Sequence, residues 1–140
     1  MRIEINHAEV ERLLYSPTGP VHREVSRVTA RVESAVKRRC PVEEGLLRAS
    51  VYSLVYAVRG VAVIGEVGSP LEYAIYVELG TGVYGPSGGM IRPRRARFLV
   101  WESKGGKVIF ARQVRGQPGQ HMFRDGLIEA SPWPVIVTPI

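Results

Sequence analysis

A single cysteine in 140 residues, Cys40, excludes an internal disulfide. The three histidines, His7, His22 and His121, stand too far apart to form a local ligand motif, so no structural metal is expected. The longest apolar runs, such as Val61 to Ile64, fall far short of the roughly 18 residues that a membrane-spanning helix needs. Arg2, Glu4, Asn6 and His7 interrupt the N-terminus and leave no apolar segment of signal-peptide length, which predicts an intracellular protein starting at Met1. Lysine is scarce too, since only Lys37, Lys104 and Lys107 contribute to the 19 basic residues. The arginine excess fits a G+C-rich coding sequence first and bidentate phosphate contacts second.

Reactive chemistry is equally thin. Acid–base catalysis needs paired groups held close with separated pKa values, and the carboxylates here are scattered over polar positions. Glu43 and Glu44 adjoin one another, but in a turn, where solvated charges are the usual outcome. Cys40, before Pro41 at a helix end, reads as a partly buried inert thiol. A literal GxGxxG occurs at Gly80, Gly82 and Gly85. Dinucleotide sites place that pattern between a strand and a helix, whereas here a helix precedes it and Pro86-Ser87-Gly88-Gly89 follows. Neither an enzymatic activity nor a cofactor is expected.

What is present points to one globular domain over residues 1–131, followed by an extended proline-rich tail over 132–140: the chain is 45% hydrophobic and long enough for a single core. A net charge of +6 invites an anionic partner. The charge concentrates late, with Arg92, Arg94, Arg95, Arg97, Lys104, Lys107, Arg112, Arg115 and Arg124 set against Glu102 and Asp125. Around Pro93 the four arginines sit on a loop rim, able to meet phosphates without burying charge. A solvated loop or an intersubunit ion-pair patch explains them equally well. No base-reading motif accompanies them, so sequence-specific recognition is not expected.

Asn6 and Glu9 form a capping-box pattern before Val10, Leu13 and Leu14, predicting a short helix that ends near Ser16. After Ser16-Pro17-Thr18-Gly19-Pro20, residues Val21, Val25, Val28, Val32 and Val36 recur at helical spacing up to about Arg39, where Pro41 forces a stop. Leu47–Val58 and Val61–Val67 flank Arg59-Gly60 as a β-hairpin with both faces covered, by the helix and by a neighbouring chain. Leu71–Leu79 predicts a short helix capped by Gly80, and the glycine- and proline-rich stretch from Gly80 to Arg97 a long exposed loop. Phe98–Trp101 and Val108–Val114 predict a second hairpin, and His121–Ala130 a final helix burying Met122 or Phe123, Leu127 and Ile128. The apolar tail from Trp133 to Ile140 is expected to dock. The fold class is thus α+β, a mostly antiparallel sheet of two β-hairpins packed on one long amphipathic helix, with short helices besides.

The order CPVEEGLLRASV (Cys40–Val51), YAIYVELGTG (Tyr73–Gly82), IRPRRARFLVW (Ile91–Trp101) and PGQHMFRDGL (Pro118–Leu127) resembles the neck, or tail-completion, proteins of long-tailed double-stranded DNA phages of the lambdoid head–tail joining type. The similarity spans roughly Asn6 to Ala130. It implies a non-enzymatic virion protein, assembled in the host cytoplasm into a homo-oligomeric ring of about six copies or a multiple. Such a ring joins head-closure or connector proteins to tail-terminator or tail-tube proteins around passing DNA. The family's structural motif residues match Pro41, Gly45, Tyr73 or Tyr76, Glu78, Gly80, Thr81 and Pro93. Glu44 departs from it, where the family commonly has threonine, and the PWP tail lies outside it. Arg92, Arg94, Arg95, Arg97, Lys104 and Lys107 are then expected to face the DNA channel or a partner, and Val83, Tyr84 and Trp133 to lie in interfaces. The alternatives are a tail terminator or a sequence-nonspecific DNA-binding protein.

Overall fold

The structure is a computed structural model, described here over residues 1–42 and 45–136. Its helices and two antiparallel hairpins make the α+β class that the patterning predicts. The chain length suggests one domain, and the described residues divide into two compact units: Met1–Leu71 with residues 122–136, and the intervening Glu72–His121. Each hairpin forms its own two-stranded sheet instead of merging into one.

In the first unit, α1 (His7–Tyr15) starts where the Asn6 side chain accepts from the Glu9 amide at 3.2 Å, the expected cap. α2 (Pro20–Arg39) begins with proline at the position where a missing amide hydrogen costs nothing. It ends at Cys40, extended as a residue before proline must be. Its valines are mediocre helix formers, so packing holds it: Val28, Val32, Ala35 and Val36 are buried, each valine contributing roughly 1.5–2 kcal/mol. Lys37, Arg38 and Arg39 place positive charge at the C-terminal end of the dipole.

The first expected strand begins later than its apolar content suggests. Leu46–Ser50 is a helical turn, α3, because these residues are mostly good helix formers and the Ser50 hydroxyl donates back to the Leu47 carbonyl at 2.7 Å. Strand β1 (Tyr52–Val58) then pairs with β2 (Ala62–Gly68), Tyr52 opposite Gly68 and Val58 opposite Ala62, around a turn with Gly60 at φ +73°. Ser53, Val55 and Ala57 share the face that packs on α2, where Gly65 lies against Thr29 and Val25.

Glu33 ties this sheet to the helix, accepting from Lys37 Nζ at 2.5 Å and from Ser53 Oγ at 2.5 Å. Those hydrogen bonds, Lys37's first, hold its carboxyl below the usual carboxylate range. A depressed folded-state pKa stabilises the protein above the unfolded value, near pH 4.3, and that contribution is lost as pH falls through the lowered folded one. Glu33→Gln is therefore expected to lose about 1 kcal/mol at pH 7. In urea titrations at pH 7 and at about pH 3, the gap between wild type and variant should shrink at the acid end; an undiminished gap would refute this role.

The last helix, α5 (Met122–Ala130), packs on α2 through Met122, Gly126 and Ala130, spaced four apart. Leu127 and Ile128, expected in the core, are 39% and 53% exposed. The helices approach so closely at Gly126, against Val36, that the contact accepts small side chains and turns the larger ones outward. Met122 is fully buried and accepts from the Cys40 thiol at 3.4 Å, so Cys40 is a packed core residue.

In the second unit, α4 (Ala74–Leu79) ends at Gly80, whose amide donates to the Tyr76 carbonyl. The segment from Gly80 to Arg97 is the largely exposed, irregular loop its composition predicts, but it is tethered. A 3-10 turn (Gly82–Tyr84) and backbone bridges Gly80–Pro118 and Ile91–Val114 pin it down. Strands β3 (Leu99–Glu102) and β4 (Val108–Ala111) make the second hairpin, β4 stopping three residues before the expected Val114. Ala74 is the one buried hydrophobic side chain that this unit contributes among the described residues. Backbone hydrogen bonds, more than a core, hold it together. No helix among the described residues is long and apolar enough to cross a membrane.

Candidate assembly surfaces

The motif residues Gly80 and Thr81 serve structure directly. Thr81 donates its amide to the Gln117 carbonyl at 2.8 Å while its hydroxyl oxygen accepts from the Gln117 amide at 3.0 Å, and the Val83 amide donates to the Arg115 carbonyl at 2.8 Å. The two chain segments of this clasp run so close that a Cβ on Gly82 would overlap the Arg115 carbonyl, and one on Gly116 the Thr81 carbonyl. Further along, Gln120 and His121 donate to the carbonyls of Val77 and Glu78. ELGTG and PGQH, forty residues apart in sequence, are two halves of one structure. Of the other motif positions, Gly45 leads into α3 at φ +72°, Pro41 follows the end of α2, Tyr73 caps α4, and Tyr76 is 60% exposed. Glu44 lies outside the described residues.

The expected basic cluster is only partly gathered. Arg92 Nε donates to Gln113 Oε1 at 3.2 Å, beside the Ile91–Val114 bridge. Arg97 and Arg112 lie over the Phe98 ring at 5.8 and 6.0 Å, a paired cation–π arrangement. Arg94 and Arg95 are exposed, and Pro93 is half-buried between Arg92 and them. Lys104 and Lys107 belong to the β3–β4 turn, at the other end of the hairpin from Phe98 and roughly 13 Å away by strand length. A continuous patch of all six does not form.

Apolar exposure is the more extensive feature. In the second unit Val100 and Phe110 face each other across β3 and β4 at 56% and 65% exposure, with Val108 at 52% on the same face. Trp101, 41% exposed, lies on the opposite face and lines an open groove of about 480 Å³ with Ile91, Leu99 and Val114. Tyr84 is 49% exposed beside the half-buried Val83. In the first unit the outer face of the hairpin exposes Tyr52, Leu54, Tyr56 and Val58. There the Tyr52 hydroxyl donates to Glu66 at 3.1 Å, and that bond and charge hold the phenol above its usual pKa. Trp133 is 47% exposed, its amide donating to Ser131 Oγ, and the tail beyond Ile136 lies outside the described residues.

Sequence patterning points to the loop residues and to a covered outer face on the first hairpin, but not to the Val100, Val108 and Phe110 face of the second. The first hairpin carries a further signal in Tyr52-Ser53-Leu54-Val55-Tyr56-Ala57-Val58, where aromatic and leucine side chains alternate with small ones. Among the described residues no group of three or more His, Cys, Asp or Glu side chains could hold a metal ion. Comparison with protein-family models, with curated proteins and with solved structures finds no match for this chain.

Proposed function

We propose that this protein is a structural component of the phage head–tail junction, a neck or tail-completion subunit. It forms a ring with copies of itself and joins the head-closure ring to the tail around passing DNA. The observation that carries the reading is the second unit, which buries almost no apolar side chain of its own yet exposes Val100, Val108 and Phe110 side by side. Monomeric proteins rarely leave such a face in water; subunits of assemblies do. The free edges of both two-stranded sheets offer further places where a neighbouring copy can pair. The order of sequence motifs supplies the phage context, with assembly as the mechanism.

The test is native mass spectrometry and sizing with light scattering on the full chain. Wild type should form a discrete ring, and Val100→Asp with Phe110→Asp should shift association by at least about 100-fold, as truncation of a central apolar anchor does. Both positions are exposed, so the far-ultraviolet circular dichroism of the variant should match wild type. A monomeric wild type that is also absent from purified particles would overturn the proposal.

A further inference from the structure

The first unit carries a second cationic feature, remote in sequence from the arginine loop. Between α2 and α5 lies an open groove of about 500 Å³ into which Arg27, Arg31 and Arg38 project. With Ser34 they recur at spacings of four, three and four residues, which puts them on one stripe of α2, flanking the buried valine face. Along a helix rising 1.5 Å per residue, the three guanidinium groups span about 16 Å. Arg27 is braced by Glu24 at 2.7 Å and Arg38 by Glu129 at 2.9 Å, while Arg31 is exposed and has no ion pair among the described residues. The acid lining the groove, Glu129, is shared with Arg39 at 2.8 Å, so it is outnumbered.

We infer that this groove binds the sugar–phosphate backbone of nucleic acid, without reading sequence. A row of cations about 16 Å long suits an extended polyanion better than a single small anion. The remaining lining, Ala30, Ser34 and Ala130, is small and offers no aromatic platform on which a base could stack and no apolar anchor of the kind that centres protein interfaces. Recognition there is left to charge and to the forked geometry of guanidinium groups, which matches phosphate oxygens. Small side chains between the arginines let a backbone lie close against the helix. The inference does not depend on ring formation, since every group involved belongs to one chain.

Fluorescence anisotropy with two labelled duplexes of unrelated sequence, on the full-length chain over a range of salt, tests it. Wild type should bind both duplexes equally, with affinity falling steeply as salt rises. Arg27→Gln with Arg31→Gln should weaken binding about tenfold or more and reduce the slope of log affinity against log salt by about 2, near 0.9 for each phosphate that is no longer neutralised. Both side chains are exposed, so thermal melting should confirm an intact fold. Glu129→Gln should tighten binding severalfold by removing the groove's acid. Repeating the titrations on the Val100→Asp/Phe110→Asp chain separates this site from ring assembly: the α2 effect should persist there. The inference is overturned if the α2 variant binds like wild type while Arg94→Gln/Arg95→Gln abolishes binding. Preference for a polyglutamate peptide over duplex, or no binding at about 50 mM salt, would overturn it as well.

Discussion

Gly126→Leu is expected to lower the melting temperature by about 10–15 °C, corresponding to roughly 3–4 kcal/mol for a chain of this size. A Cβ at this position would meet Val36 Cγ2 at 2.7 Å, Val36 N at 3.0 Å and Val36 Cα at 3.1 Å. Two of those three atoms are backbone in the last turn of α2, so no rotamer change alone can make room and α5 must lift away. Lifting it uncovers Met122 and Ala130 and strains the ion pairs of Glu129 with Arg38 and Arg39. Gly126→Ala separates the causes. Alanine favours the helix by about 1 kcal/mol over glycine, yet the overlap with Val36 should outweigh that and leave the variant less stable than wild type. Val36→Ala should not rescue it, because the backbone contacts remain. Differential scanning calorimetry of the series decides the matter: an alanine variant that melts higher than wild type would mean that the helices do not meet here as closely as described.

That crossing also explains where the sequence was readable. The long helix could be placed from its valine repeat because burial on one face imposes a 3.6-residue period, and its ends from Pro20 and Pro41 because proline acts locally. Both hairpins were visible through turn glycines between β-branched runs. The face of α5 was not, since Leu127 and Ile128 outrank Gly126 in any hydrophobicity pattern; only the proximity of α2 makes glycine the buried residue. The helical turn at Leu46–Ser50 went unread for a related reason, Leu47 and Val51 being as apolar as strand residues and both buried. Of the candidate surfaces, the arginines were legible as composition, but their division between the Phe98 end and the hairpin turn was not. The α2 stripe is hard to see in sequence because arginines flanking a valine face look like ordinary solvated charge until α5 supplies the second wall of the groove.

Gly82→Ala is expected to destabilise the second unit by about 3 kcal/mol, and the cause can be resolved by comparison with Gly88→Ala. Both glycines have nearly the same left-handed backbone, φ +63° and φ +61°. A Cβ at Gly88 would have nothing within 4 Å, so alanine there bears only the conformational cost of roughly 1–2 kcal/mol. At Gly82 the same Cβ runs into the Arg115 carbonyl, and relief requires parting the Thr81–Gln117 and Val83–Arg115 hydrogen bonds that close the clasp. Few buried side chains back up those bonds, so their loss should propagate through the unit rather than be absorbed. Hydrogen exchange followed by mass spectrometry should show Thr81 and Val83 losing protection in Gly82→Ala and keeping it in Gly88→Ala. Equal effects of the two substitutions would mean that backbone conformation alone requires glycine in this segment and that the close approach to Arg115 contributes nothing. If instead Gly82→Ala alone opens the clasp, the Gly80-Thr81-Gly82 motif is a requirement of backbone contact, and its glycines need no ligand to explain them.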